Sequence, residues 1–139
     1  MDGWNRKELW TKRGDGFSVE VSHHTVDITE VSEGPHRWCV YAYIYPQHAM
    51  FEEFDGSDMW QDAALRLPLH CGPSYLKWHC DDEGKKTSVQ VGADYNHLGD
   101  DEYTHMECSD DAMSVFADAE KLMSFLSGGF NAVSTDDGL

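Results

Sequence analysis

The sequence predicts an α+β fold: an antiparallel sheet of about four to five strands, packed on one face by a C-terminal helix, with a short helix between the third and fourth strands. Three observations carry that reading. Residues 37–45 (RWCVYAYIY) are a dense run of aromatic and β-branched side chains. Two further strand-like runs, Tyr75–Cys80 and Thr87–Tyr95, flank the turn sequence Asp81-Asp82-Glu83-Gly84-Lys85-Lys86 and read as a hairpin. Ala112, Val115, Phe116, Ala119, Leu122, Met123 and Leu126 recur at spacings of three and four, which marks one face of a helix.

The elements follow in order. Trp4 to Lys12 reads as a weak first strand or a short helical turn. Arg13-Gly14-Asp15-Gly16 is turn chemistry. From Phe17 to His23 the chain alternates, with Phe17, Val19, Val21 and His23 on one face and Ser18, Glu20 and Ser22 on the other. Residues 24–36 form a polar connection, and the 37–45 strand ends at Pro46, which cannot donate to a ladder. Within the irregular stretch 46–73, Ser57 is placed to cap a short helix with Asp58 in its first turn and Met59, Trp60, Ala63, Ala64 and Leu67 on one face; Pro68 stops it. Residues 96–108 read as a polar loop. Ser109 caps the C-terminal helix, with Asp110 and Asp111 complementing its dipole, and Gly128-Gly129 ends it. One domain over 1–130 is expected, with residues 131–139 as a flexible tail.

The chain has 139 residues, 26 acidic and 10 basic, for a formal net charge of −16. Only residues 1–13 are net positive, at +2, so the acidity runs through the whole fold. A phosphate backbone needs clustered lysine and arginine, so direct nucleic-acid binding is not expected, and an anionic membrane surface is disfavoured for the same reason. Basic partners are favoured, because complementary fields speed encounter. The start Met1-Asp2-Gly3-Trp4 lacks a signal-peptide layout, and no apolar run has membrane-spanning length, so a cytoplasmic protein is expected. The four cysteines, Cys39, Cys71, Cys80 and Cys108, are too sparse for a disulfide scaffold and read as reduced thiols.

Chemistry-bearing residues gather in two places. If Trp38, Val40, Ala42 and Ile44 meet the helix, then Cys39, Tyr41, Tyr43 and Tyr45 face outward, with Glu20, Tyr75, Lys77 and His79 as neighbours. Tyrosine offers apolar area and a hydroxyl together, which suits an interface with a partner or a second copy. Residues 46–73 folding over this face would instead make it a second small core. The other place is the segment Val91 to Asp101, where Asp94, Asn96, His97, Asp100 and Asp101 enter a loop. A mixed metal site from His70, His79, Asp94 and His97, with Asp100 nearby, is the enzymatic alternative. It competes with a plain reading of the eight histidines as polar surface or loop residues. No nucleophile elbow, phosphate-binding glycine loop, calcium loop or zinc knuckle is present, so no catalytic residue and no cofactor is assigned.

Phe17–Ser22, the 37–45 strand, Pro68-Leu69-His70-Cys71-Gly72 and the Val91–Asp100 segment together resemble a family of small uncharacterised proteins carried by bacteriophages and prophages. The likeness covers residues 17–126. It supplies no catalytic residues. It implies a small acidic protein that binds and inhibits a host protein, one that handles nucleic acid or serves defence. The expected contact residues are Tyr41, Tyr43, Tyr45, Tyr75, His79, Asp94, Asn96, His97, Asp100 and Asp101. A self-associating module, with the tyrosine face buried across a two-fold axis, is a further alternative.

Overall fold

The computed structural model describes residues 7–27 and 33–130; the expectations for Trp4 and for the tail 131–139 lie outside them. Five strands form one antiparallel sheet: β1 (Lys7–Gly14), β2 (Phe17–Thr25), β3 (His36–Ile44), β4 (Tyr75–Cys80) and β5 (Lys86–Asp94), in the order β1-β2-β3-β5-β4. A short helix α1 (Asp62–Leu65) lies between β3 and β4, and the C-terminal helix α2 (Met113–Ser124) runs on through a wide turn, Phe125–Gly129.

The open alternative at the N-terminal end resolves as a strand. Alternation along β1 places Trp10 on the helix side, where it stacks on Trp38 at 5.7 Å and meets Phe116 edge-on at 5.2 Å. As an edge strand β1 carries Lys7, Lys12 and Arg13, charges that discourage pairing with another chain. The polar connection is shorter than expected, because β2 runs to Thr25 and β3 begins at His36.

The core lies between the sheet and α2. Val19, Val21, Val40, Ala42, Ile44, Val89 and Val91 face Val115, Ala119, Leu122 and Leu126, all buried. Residues 46–73 join this same layer: Met50, Phe54, Ala63, Ala64 and Leu67 are part of the core cluster. They do not fold across the tyrosine face.

Two helix starts differ from expectation. Ser57 caps nothing, and α1 spans only four residues. The Gln61 side chain turns back and donates from Nε2 to the carbonyls of Asp55 and Asp58, while the Asp58 carboxylate accepts the Trp60 amide. These local bonds hold residues 55–61 as a loop and leave Trp60 65% exposed, off the buried face. Ser109 likewise makes no side-chain cap for α2. A turn intervenes in which Ala112 N–H donates to the Ser109 carbonyl, and Asp111 accepts the Glu107 amide behind it.

Candidate functional site

The sheet face away from α2 has no described element packed on it. Strand register sets its rows: Arg13, Ser18, Tyr43, Gln90 and Lys77 in one, and Thr11, Glu20, Tyr41, Gly92 and Tyr75 in the next. Large rings roof small residues. A β-carbon at Gly92 would lie 2.3 Å from Tyr41 Cδ1, so the Tyr41 ring rests directly over that backbone. Tyr41 meets Tyr75 edge-on at 5.5 Å, and Tyr43 lies 5.9 Å from His79. The Tyr45 hydroxyl is 3.0 Å from Ser18 Oγ, and His79 Nε2 donates to Gln90 Oε1 at 2.7 Å. Burial pushes the Tyr41 phenol well up, and burial with the nearby Glu20 carboxylate pushes Tyr43 up to about 12. Both hydroxyls therefore act as neutral hydrogen-bonding groups at ordinary pH.

This face is also where basic residues gather. Lys7, Arg13 and Lys77 share it with Glu20 and Asp94, while α2 carries Asp118 and Glu120 on the opposite side. The acids of the β4–β5 hairpin tip, Asp81 to Glu83, stand at one end of the face, and Asp94 stands at the other.

The second place is the corner where β5 enters the loop. Asp100 is only 6% exposed. The turn His97-Leu98-Gly99-Asp100 closes on itself: Asp100 N–H donates to the His97 carbonyl, and His97 N–H donates to Asp100 Oδ2 at 2.9 Å. Gly99, at φ 95°, supplies the left-handed step this needs. The Asp100 carboxylate then takes two imidazoles. His70 Nε2 lies 2.9 Å from both carboxylate oxygens, and His97 Nδ1 lies 3.1 Å from Oδ2. Burial alone would raise the Asp100 carboxyl; the His97 amide and the two histidines outweigh it and hold the group below the ordinary carboxylate range. His70 is stacked on Tyr95 at 4.3 Å and edged by Tyr103 at 5.4 Å. Tyr95 is itself buried and donates its hydroxyl to Asp118 of α2 at 2.7 Å, so the corner is braced against the helix.

The ten residues singled out from the sequence thus divide. Tyr41, Tyr43, Tyr45, Tyr75 and His79 lie on the open face, and Asp94 marks its end. His97 and Asp100 belong to the corner, and Asn96 and Asp101 are exposed beside it. The alternative metal set also divides. His70, His97, Asp94 and Asp100 come together, with His97 Nδ1 3.5 Å from Asp94 Oδ1. His79 does not join them, because it pairs with Ser88. Ser88 and Asp94 share a face but are separated by roughly 20 Å along the strand at ~3.3 Å per residue. Cys71, beside His70, takes the place that His79 leaves.

Two buried histidines depart from the surface reading. His23 is fully buried, stacked on Trp38 at 4.4 Å, with Nδ1 2.8 Å from Glu8 Oε1 and Nε2 2.8 Å from His36 Nδ1. His48 accepts the Met50 amide at Nδ1, so its Nε2–H donates to the Leu126 carbonyl at 2.8 Å and pins the turn after β3 to the end of the helix layer. His23 had a signal in the sequence, its place on the apolar face of β2; His48 had none. Comparison with protein-family models, with curated proteins and with solved structures returns no match for this chain.

Proposed function

We propose that this is a non-enzymatic binding protein that holds a protein partner against its open sheet face. The observation that carries this reading is the continuous surface of Tyr41, Tyr43, Tyr45 and Tyr75, left without a described element on it in a chain that otherwise packs well. Rigid aromatic rings with neutral hydroxyls give contact area at low entropic cost. The acids at both ends of the β4–β5 hairpin, within a net charge of −16, suit a partner with a basic rim. The acids steer the encounter and the tyrosines hold the contact. A second copy is the weaker occupant, because two such charges repel until screened. The likeness to phage proteins makes a bacterial host protein the expected partner, with inhibition as the expected outcome.

The test is affinity capture from bacterial lysate with the native chain, with the double variant Tyr43→Ala and Tyr75→Ala, and with Ser114→Glu on the exposed side of α2. A protein captured at low salt, still held after a high-salt wash, lost in the sheet-face variant and kept by Ser114→Glu supports the reading. Equal retention by the native chain and the sheet-face variant sinks it. Light scattering that reports a stable dimer dispersed by the same double variant assigns the face to self-association instead.

A further inference from the structure

The corner around Asp100 has the composition of a metal centre, and it adjoins the tyrosine face at Asp94. One donor atom from each of His70, Cys71 and His97 lies within 4.8 Å of the others. Asp100 engages Nε2 of His70 and Nδ1 of His97. A carboxylate held to one ring nitrogen keeps the proton there and leaves the other nitrogen as a bare lone pair, the form that ligates an ion. The shared carboxylate holds both imidazoles in place beside Cys71.

A second observation concerns the backbone. Cys71, at φ 59°, is the one non-glycine with positive φ among the described residues. Glycine takes that conformation freely, whereas a β-carbon disfavours it. The sequence nonetheless has a cysteine there, exposed and beside both histidines. Strain of this kind collects at ligand-holding positions.

We infer that His70, Cys71 and His97 bind a divalent transition-metal ion of the Zn²⁺ type, with Asp100 as the acceptor behind both histidines and a fourth position open. Two imidazoles and a thiolate are borderline to soft donors, which select zinc over magnesium or calcium. Tetrahedral ligands around zinc stand roughly 3.3–3.6 Å apart, so three donors no more than 4.8 Å apart close by at most about 1.5 Å on the ion. Cys71 sits in an exposed turn, where such a shift meets little packing. Binding releases the thiol proton to solvent and forms the metal–sulfur bond, with no redox change. Asp94, 3.5 Å from His97, and buried Asp100 add negative charge around the cation.

Cobalt titration tests this. Protein stripped with chelator and returned to chelator-free buffer is titrated with Co²⁺. The expected result is a saturable visible spectrum of a tetrahedral ion with a thiolate-to-metal charge-transfer band, both abolished by added Zn²⁺. Cys71→Ser removes the charge-transfer band, and Asp100→Asn weakens binding by about 10–100-fold. His79→Gln and Cys80→Ser leave the spectrum unchanged. Cys71 is exposed, so its variant keeps the fold, which far-UV circular dichroism checks. A native spectrum without the thiolate band, or a band equally strong in Cys71→Ser, overturns the assignment.

Discussion

Replacing Asp100 by asparagine isolates the charge from the shape of the corner. The carboxylate is 6% exposed and faces the His97 amide at 2.9 Å, His70 Nε2 at 2.9 Å and His97 Nδ1 at 3.1 Å. Asparagine keeps one acceptor oxygen for the amide but sets an NH₂ against an imidazole N–H. Hydrogen bonds to a charged group contribute about 1.5–3 kcal/mol each, so the expected loss is about 2–3 kcal/mol at neutral pH. For a chain of this length that lowers Tm by roughly 7–10 °C. The pH dependence has a definite sign. The folded carboxyl sits below its ordinary value of 3.8, so its stabilisation is fully present above that value and is lost as pH falls through the folded one. Below it, the protonated acid has the shape of the amide, and native and variant converge. Thermal melts followed by circular dichroism, at neutral pH and through the acid range, read both effects. A variant that melts with the native protein at neutral pH, or a deficit that persists undiminished in acid, refutes the reasoning.

Gly92→Ala tests the roof of the open face. The new β-carbon would stand 2.3 Å from Tyr41 Cδ1 and 2.6 Å from the Val40 carbonyl oxygen. Because the second atom is backbone, urea denaturation should show a loss of about 1–3 kcal/mol. Thiol labelling should separate the cysteines: Cys71, Cys80 and Cys108 are exposed and react at once, whereas Cys39 is buried, has its thiol value pushed up by that burial, and reacts only on unfolding. Lys12→Ala breaks the pair with Glu120, but both side chains are more than 60% exposed, so the change in stability should stay below about 1 kcal/mol.

The legible and illegible parts of this molecule divide along physical lines. Period-two alternation at Val19 and Val21 and at Val89, Val91 and Ala93 reports which side chains face the helix, because each residue's face follows from its immediate neighbours. The α2 stripe is legible for the same reason. That Ser18, Ser22, Ser88 and Gln90 on the other face are buried too was not legible. Helix starts are less so. Ser57 and Ser109 have the right residue type, yet Gln61 and Asp111 form competing bonds that no capping rule weighs. Buried histidines are the least legible. His48 is satisfied by Leu126, 78 positions away, and His23 by Glu8 across the β1–β2 hairpin. Burial of a polar ring depends on partners that the fold brings to it.

The corner shows both sides of that division. His-Leu-Gly-Asp determined by itself that residues 97–100 close a turn, because the glycine and the aspartate act within four residues. That His70 and Cys71 reach this turn, and that His79 does not, was decided only by the tertiary structure. β5 spans the length of the sheet between Ser88 and Asp94, so residues that share a face in sequence end far apart, while a loop 30 positions away closes onto the same carboxylate.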